Sequence, residues 1–305
     1  MAGYCFSLIS FWTKRLQKAF VSAGLESKLI DVDDSTTIHC WAPKKCDTHK
    51  QNVVLIHGFG TNAMWQWYPQ IQPFVGSFNV YVPDLVFFGD STTRSSERSE
   101  IFQAESLMKM LKRLGVSKFS VVGTSYGGFV AYTLAYLYPE AVDKVVIASS
   151  AVCKHVEDNT ELLKRANLPK ISDVLLPQSP ASLRILTRLS VYKPPLTMLP
   201  NFILNDFIQI LYVENRAEKI ELLAGLTLGT EGAAVPVINK DVLIVWGEHD
   251  QIFPMDKAFQ LKKHLRDQAE LVVMKNASHI PHIENPQEFN AVVKNFLLHH
   301  SSSIS

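Results

Sequence analysis

Three residues far apart in the chain, Ser125, Asp250 and His279, are of the types that together carry out nucleophilic acyl transfer. A serine hydroxyl is a weak nucleophile until an imidazole takes its proton. The imidazole in turn needs a carboxylate to fix its tautomer and to stabilise the imidazolium. Ser125 lies in Gly123-Thr124-Ser125-Tyr126-Gly127-Gly128, where a buried-looking apolar run gives way to a helix-like segment. Glycines cost conformational entropy, so their placement two residues either side of a serine has a reason. On a sharp strand-to-helix turn the serine backbone is strained, its neighbours must be small, and the turn holds Oγ out at the top of a sheet. The Tyr126 N–H then sits at the start of a helix, whose positive end favours a developing oxyanion.

The partners come from elsewhere. In "VLIVWGEHDQIFP" an apolar strand ends just before Asp250, and in "NASHIPHIENPQEF" His279 follows the strand "ELVVM" and a turn of small residues. Loops leaving the same sheet edge would bring both to Ser125. Glu248 competes with Asp250 as the acid, and carboxylate reach favours Asp250. A second oxyanion donor is expected from "VVLIHGFG", with the Phe59 N–H in position and His57 fixing the loop. His282 is placed at the pocket wall, His249 at the surface, and Glu284 as a support for the histidine loop. Asp84 and Asp90 are read as structuring their loop.

These loops need a scaffold. Seven strand-like runs at 36–43, 52–59, 78–84, 119–125, 143–150, 241–250 and 269–278 alternate with helical segments at about 65–74, 97–114, 127–138, 254–266 and 285–299. Several runs are apolar at consecutive positions, as in strands covered on both faces. The pattern predicts an α/β fold, a mostly parallel sheet with helices on both sides. Its rhythm breaks over 151–236, a proline-rich and mostly helical stretch that reads as a cap over the C-terminal sheet edge, where ligands bind in open α/β sheets. The expected organisation is an N-terminal helix over 1–25, a core of 26–150 and 237–305, and the cap of 151–236.

Composition narrows the function class. The 305 residues carry 30 basic against 29 acidic side chains and are 47 % hydrophobic, an ordinary globular balance with no basic stripe for nucleic acid. Cys5, Cys40, Cys46 and Cys153 form neither a CxxC pair nor a disulfide framework, so a reducing, cytoplasmic setting is the expectation. There is neither HExxH nor a GxGxxG after the first strand, so neither a metal nor a nucleotide cofactor is expected. Near the N-terminus Phe6, Ile9, Trp12, Leu16 and Phe20 recur at helical spacing, with Lys14, Arg15 and Lys18 interleaved. The segment 6–20 is too short to span a bilayer. It is either an interfacial helix on a membrane or a helix docked on the protein's own surface. No feature names a protein partner.

The motifs HGFG, GTSYGG, GEHDQIFP and SHIPHIENPQEF resemble those of α/β-hydrolase-fold serine hydrolases over about residues 35–300. The likeness is to esterase and monoacylglycerol-lipase-like members, of plant or microbial type, that carry a helical cap. It implies the chain order Ser125, Asp250, His279 for the catalytic triad, with Phe59 and Tyr126 as the oxyanion hole. "VPDLVFFGDS" also matches a family loop, but Phe87 stands where glycine is common. Members that form an alkyl-ester intermediate carry aspartate at the elbow; Ser125 implies acyl transfer instead.

The expected substrate is a small-molecule carboxylic ester, with Trp65, Phe87, Phe88, Phe207, Leu211, Ile252 and His282 as pocket residues and a medium or long acyl chain or a monoacylglycerol as the class. Two other outcomes stay open from the resemblance. One is a triad-bearing small-molecule receptor of slow turnover, although Thr124 replaces the histidine usual in such receptors. The other is a carbon–carbon hydrolase or lyase on the same fold.

Overall fold

In the computed structural model, which describes residues 7–194, 198–229 and 235–299, the apolar runs assemble into one twisted sheet. Its strands are β1 (Leu25–Asp31), β2 (Thr36–Pro43), β3 (Gln51–Ile56), β4 (Phe78–Pro83), β5 (Thr92–Thr93), β6 (Phe119–Thr124), β7 (Val142–Ala148), β8 (Asp241–Gly247) and β9 (Ala269–Met274). The spatial order is β1-β2-β4-β3-β6-β7-β8-β9, with β5 paired to β2. From β4 to β9 every pairing is parallel, whereas β1, β2 and β5 add an antiparallel edge. Every residue of β4 and β6 is buried, which is why their sequences are apolar without alternation.

Successive side chains point to opposite faces, so neighbours on β6 feed different cores. Val121 packs with Leu111 and Phe129 on one side, and Val122 with Trp67, Phe74 and Phe289 on the other. Among the described residues the helices are α1 (Leu8–Ser22), α2 (Ala63–Val75), α3 (Glu100–Arg113), α4 (Tyr126–Leu137), then α5 (Val156–Ala166), α6 (Ile171–Leu175), α7 (Pro180–Ser190), α8 (Asn201–Leu211) and α9 (Arg216–Ala224) between β7 and β8, and finally α10 (Met255–Leu265), α11 (Pro281–Glu284) and α12 (Pro286–Leu298). Of the described helices between β7 and β8, α5 and α7 touch the loops after β8 and β9. The Gln251 N–H donates to Leu189 O, the His279 N–H to Ser190 O, and Arg165 to Gln251 O.

Two strands, β1 and β5, went unread in the sequence. In β1 only Leu25 is buried and the rest alternate between partial and full exposure, so it lacks the apolar run that marked the inner strands. The N-terminal stripe divides. Ile9, Leu16 and Phe20 are buried while Trp12 is half exposed, and Phe6 lies outside the described residues. Asp206 of α8 accepts from Ser7 Oγ (2.9 Å) and from the Ile9 N–H (3.1 Å), tying the start of α1 to the helices above the sheet. Among the described residues no helix is long and apolar enough to cross a membrane.

Candidate active site

The turn after β6 shows what the glycines are for. Ser125 has φ +50° and ψ −120°, a conformation L-residues rarely adopt. A Cβ at position 123 would fall 2.2 Å from Gly127 O, and one at 127 would fall 2.4 Å from both Ile56 O and His57 O. The strand, the turn and the helix therefore close only if both positions are glycine. The Ser125 N–H donates to Ala148 O of β7 at 2.9 Å and pins the turn to the sheet.

The three reactive groups meet there. His279 Nε2 lies 2.9 Å from Ser125 Oγ, and His279 Nδ1 lies 2.8 Å from Asp250 Oδ2. The Asp250 side chain is fully buried, and its other oxygen accepts the Ile252 and Phe253 N–H groups at 2.9 Å each. With the carboxylate so placed, Nδ1 carries the proton and Nε2 keeps a lone pair for the serine hydroxyl. Glu248 is exposed and faces His249, which stacks on Tyr192 at 4.2 Å; neither reaches the serine. Glu284 accepts the Ser278 N–H at 2.6 Å and the Tyr192 N–H at 2.7 Å, so it ties the histidine loop to the segment after α7. Burial raises its carboxyl above the usual range.

Beside the hydroxyl stand the Phe59 and Tyr126 backbone amides, which donate to no other group among the described residues. The Phe59 loop is held by two side chains. His57 Nδ1 donates to Gly58 O at 2.8 Å while Nε2 accepts the Leu85 N–H at 2.9 Å, and burial lowers the affinity of this imidazole for a second proton. Gln66 accepts the Gly58 N–H at 2.7 Å and donates to Gly58 O and Thr61 O. Sequence reasoning missed Gln66. A glutamine one turn into the helix that follows HGFG was the only available signal.

A cavity of about 280 Å³ opens at Ser125. Phe129, Ile252 and Phe253 line it from the core, and Leu162, Leu175 and Leu223 from α5, α6 and α9. Of the seven side chains expected at the pocket wall, only Ile252 borders this cavity. Trp65 and Phe207 pack against each other at 5.7 Å, and Leu211 joins Ile9 and Tyr212 in the cluster that docks α1. Phe88 is sealed beneath Phe59 and His57. Phe87 is buried beneath the Arg98 guanidinium, 4.5 Å from its ring. His282 is wholly buried beside Trp67, with neither ring nitrogen hydrogen-bonded among the described residues, and burial together with His279 pushes its pKa down to about 3. Trp65, Phe207 and Leu211 are thus taken up by helix packing, Phe87 and Phe88 by the loop after β4, and His282 by contact with Trp67 and Phe289. Among the described residues no cluster of His, Cys, Asp and Glu is arranged to hold a metal ion.

A family model described as alpha/beta hydrolase fold matches residues 51–286, which includes the serine turn, the acid and the histidine. The chain belongs to the α/β-hydrolase fold family. Individual relatives of this α/β hydrolase are distant. Epoxide hydrolase 3 of Xenopus tropicalis is 27 % identical over 283 residues, covering 82 % of this chain and 72 % of that protein. The 2-hydroxy-6-oxononadienedioate/2-hydroxy-6-oxononatrienedioate hydrolase of a Pseudomonas species is 24 % identical, over 92 % of this chain and 99 % of its own. Lipase 1 of Psychrobacter immobilis is 28 % identical, over 76 % of this chain and 72 % of its own.

Proposed function

We propose that this α/β hydrolase cleaves carboxylic esters through an acyl-enzyme on Ser125. The observation that carries the reading is the His279 imidazole, bonded on one side to a buried carboxylate and on the other to a strained serine beside two unused amides. His279 Nε2 takes the hydroxyl proton as Oγ bonds to the ester carbon, and the carbonyl oxygen, now an anion, is held by the Phe59 and Tyr126 N–H groups. The tetrahedral centre collapses by breaking its bond to the alkoxy oxygen, and His279 delivers its proton to the departing alcohol. Water then repeats the sequence on the acyl-enzyme, releasing the acid and restoring Ser125.

The lipase relative supports the ester class. The epoxide hydrolase relative does not redirect the proposal, because an alkyl-ester route needs a carboxylate nucleophile and this turn carries serine. At about 280 Å³ the cavity lies at the small end of ligand pockets, which favours a compact ester over a long acyl chain. A second reading, hydrolysis of a carbon–carbon bond beside a ketone by the same triad, draws on the near full-length match to the oxononadienedioate hydrolase.

The test is hydrolysis of p-nitrophenyl esters from acetate to laurate, and of a monoacylglycerol, with Ser125→Ala in parallel. Turnover of about 1–10³ s⁻¹ that peaks at one chain length and falls about 10⁴- to 10⁶-fold in the variant is expected. Very slow turnover of every ester, by a serine that a fluorophosphonate still labels, would overturn the ester reading in favour of a carbon–carbon reaction or a receptor of slow turnover.

A further inference from the structure

The cavity at Ser125 is largely apolar, and besides the neutral side chains of Asn159 and Ser172 it is bordered by two lysines. Lys154, in the link between β7 and α5, and Lys170, the residue preceding α6, both border it, and no carboxylate does. Neither ammonium has an ion-pair or hydrogen-bond partner among the described residues. Among the described residues, the acidic groups that act on Lys154, Asp158 and Glu100, are already engaged. Asp158 is paired with Lys257 at 2.7 Å, and Glu100 accepts the Thr227 and Leu228 N–H groups at 2.9 Å each. The Lys154 stem is held against Gly229, where even a methyl group would meet its Cγ at 2.4 Å.

A half-buried lysine with no counter-ion among the described residues is an expensive feature beside a largely apolar cavity, because desolvation penalises the charged form. Burial accordingly lowers the pKa of Lys154 from the ordinary lysine value. An anion entering the cavity removes that penalty and makes a charge-assisted hydrogen bond in partly dry surroundings. Asn159 and Ser172 border the same cavity and offer neutral donors to such a group.

We propose that Lys154, assisted by Lys170, is the anchor for an anionic group on the substrate, so that the preferred ester carries a carboxylate or a phosphate on the part of the molecule that does not react. This rests on the ester-hydrolase reading for the identity of the reacting bond, but the anion site itself does not. The ester carbonyl lies at Ser125 while the anionic oxygens sit against Lys154. An apolar ester of equal length fills the cavity but leaves the ammonium unpaired.

The experiment compares matched pairs of esters. The mono-p-nitrophenyl ester of adipic acid is set against p-nitrophenyl hexanoate for carboxylate, and 1-hexanoylglycerol 3-phosphate against 1-hexanoylglycerol for phosphate. The wild-type protein should favour the charged member of at least one pair in kcat/KM, and the pair that shows it identifies which anion is bound. In Lys154→Met, which keeps the stem packing, that preference should fall about ten- to a hundredfold, mainly through KM. Lys154→Arg should retain most of it. Equal or inverted preference in the wild-type protein, or a preference untouched in Lys154→Met, would overturn the proposal. Should no ester be turned over, fluorophosphonate labelling of Ser125 still decides. Adipate or glycerol 3-phosphate should slow labelling of the wild-type protein and not of Lys154→Met, and absence of protection in the wild-type protein would refute the anion site.

Discussion

Replacing Asp250 by asparagine changes one atom, and the geometry dictates where that atom goes. Oδ1 of Asp250 faces two backbone N–H groups at 2.9 Å, and Oδ2 faces His279 Nδ1 at 2.8 Å. An asparagine that keeps its carbonyl oxygen on the two N–H groups must turn its NH₂ toward the imidazole. His279 then has to accept at Nδ1, and Nε2 carries the proton and can no longer take one from Ser125. The opposite orientation restores the productive tautomer but points NH₂ at two buried donors. Leaving each unpaired costs about 1–3 kcal/mol, so the productive form lies about 2–6 kcal/mol higher. At about 1.4 kcal/mol per tenfold, kcat should drop by about 30-fold to about 10⁴-fold. KM should move little, because the cavity is unchanged. The assay is steady-state hydrolysis of the best p-nitrophenyl ester, with a thermal melt to verify folding. An asparagine variant within about threefold of the wild-type kcat would refute both the tautomer argument and the role of Asp250.

Gly127→Ala would push a methyl group to 2.4 Å from two backbone carbonyl oxygens at the end of β3. It should destabilise by about 3 kcal/mol or more and lower Tm by about 5–10 °C, and an unchanged melt would show that the turn can relax. Gln66→Glu keeps the acceptor for the Gly58 N–H but sets an oxygen against Gly58 O and Thr61 O. Loosening the Phe59 donor in this way should cut kcat about 10- to 100-fold with a smaller effect on KM; an unaltered kcat counts against Phe59 as an oxyanion donor. His282 is neutral when folded, its pKa held near 3, whereas the unfolded chain protonates it near 6.5. Stability from this group is therefore complete above pH 6.5 and is lost as pH falls toward 3, by up to about 1.4 kcal/mol per pH unit. Between pH 6.5 and 4.5 the Tm of His282→Phe should decline less steeply than that of the wild-type protein, and parallel curves would remove His282 as the cause.

What could be read from the sequence and what could not differ in physical kind. Ser125, Asp250 and His279 are each fixed by a few neighbouring residues: a strand that ends, a turn that needs small side chains, and a polar group at its tip. Their meeting point follows once the parallel strands put those tips on one edge. The inner strands were legible for the same reason, since burial on both faces leaves an unbroken apolar run. The pocket wall was not. Phe207 and Leu211 lie on α8, and whether they face a substrate or α1 is decided by how two amphipathic helices dock, which is not encoded in either segment alone. Trp65 went the same way. Lys154 and Lys170 were passed over from the other direction, because a charge in a linking loop resembles any solvated charge until a cavity is found against it.

Phe87 joins these two levels. Its φ of +75° is the left-handed conformation that glycine adopts freely. A bulky residue there carries a strain of about 1–2 kcal/mol. Burying the ring, which is 5 % exposed, contributes about 1.5–3 kcal/mol and offsets the strain. The Arg98 guanidinium over the ring adds to it, and Arg98 is itself paired with Glu221 of α9 at 2.6 Å. The Phe87 carbonyl accepts from Asn215, just before α9. Phe87 thus makes the loop that supports the His57–Phe59 turn also an anchor for the helix whose Leu223 lines the cavity. Phe87→Gly should relax the backbone yet lower Tm, because the lost packing exceeds the relieved strain. It should also raise KM more than it lowers kcat, since the cavity wall moves while Ser125, Asp250 and His279 keep their own supports.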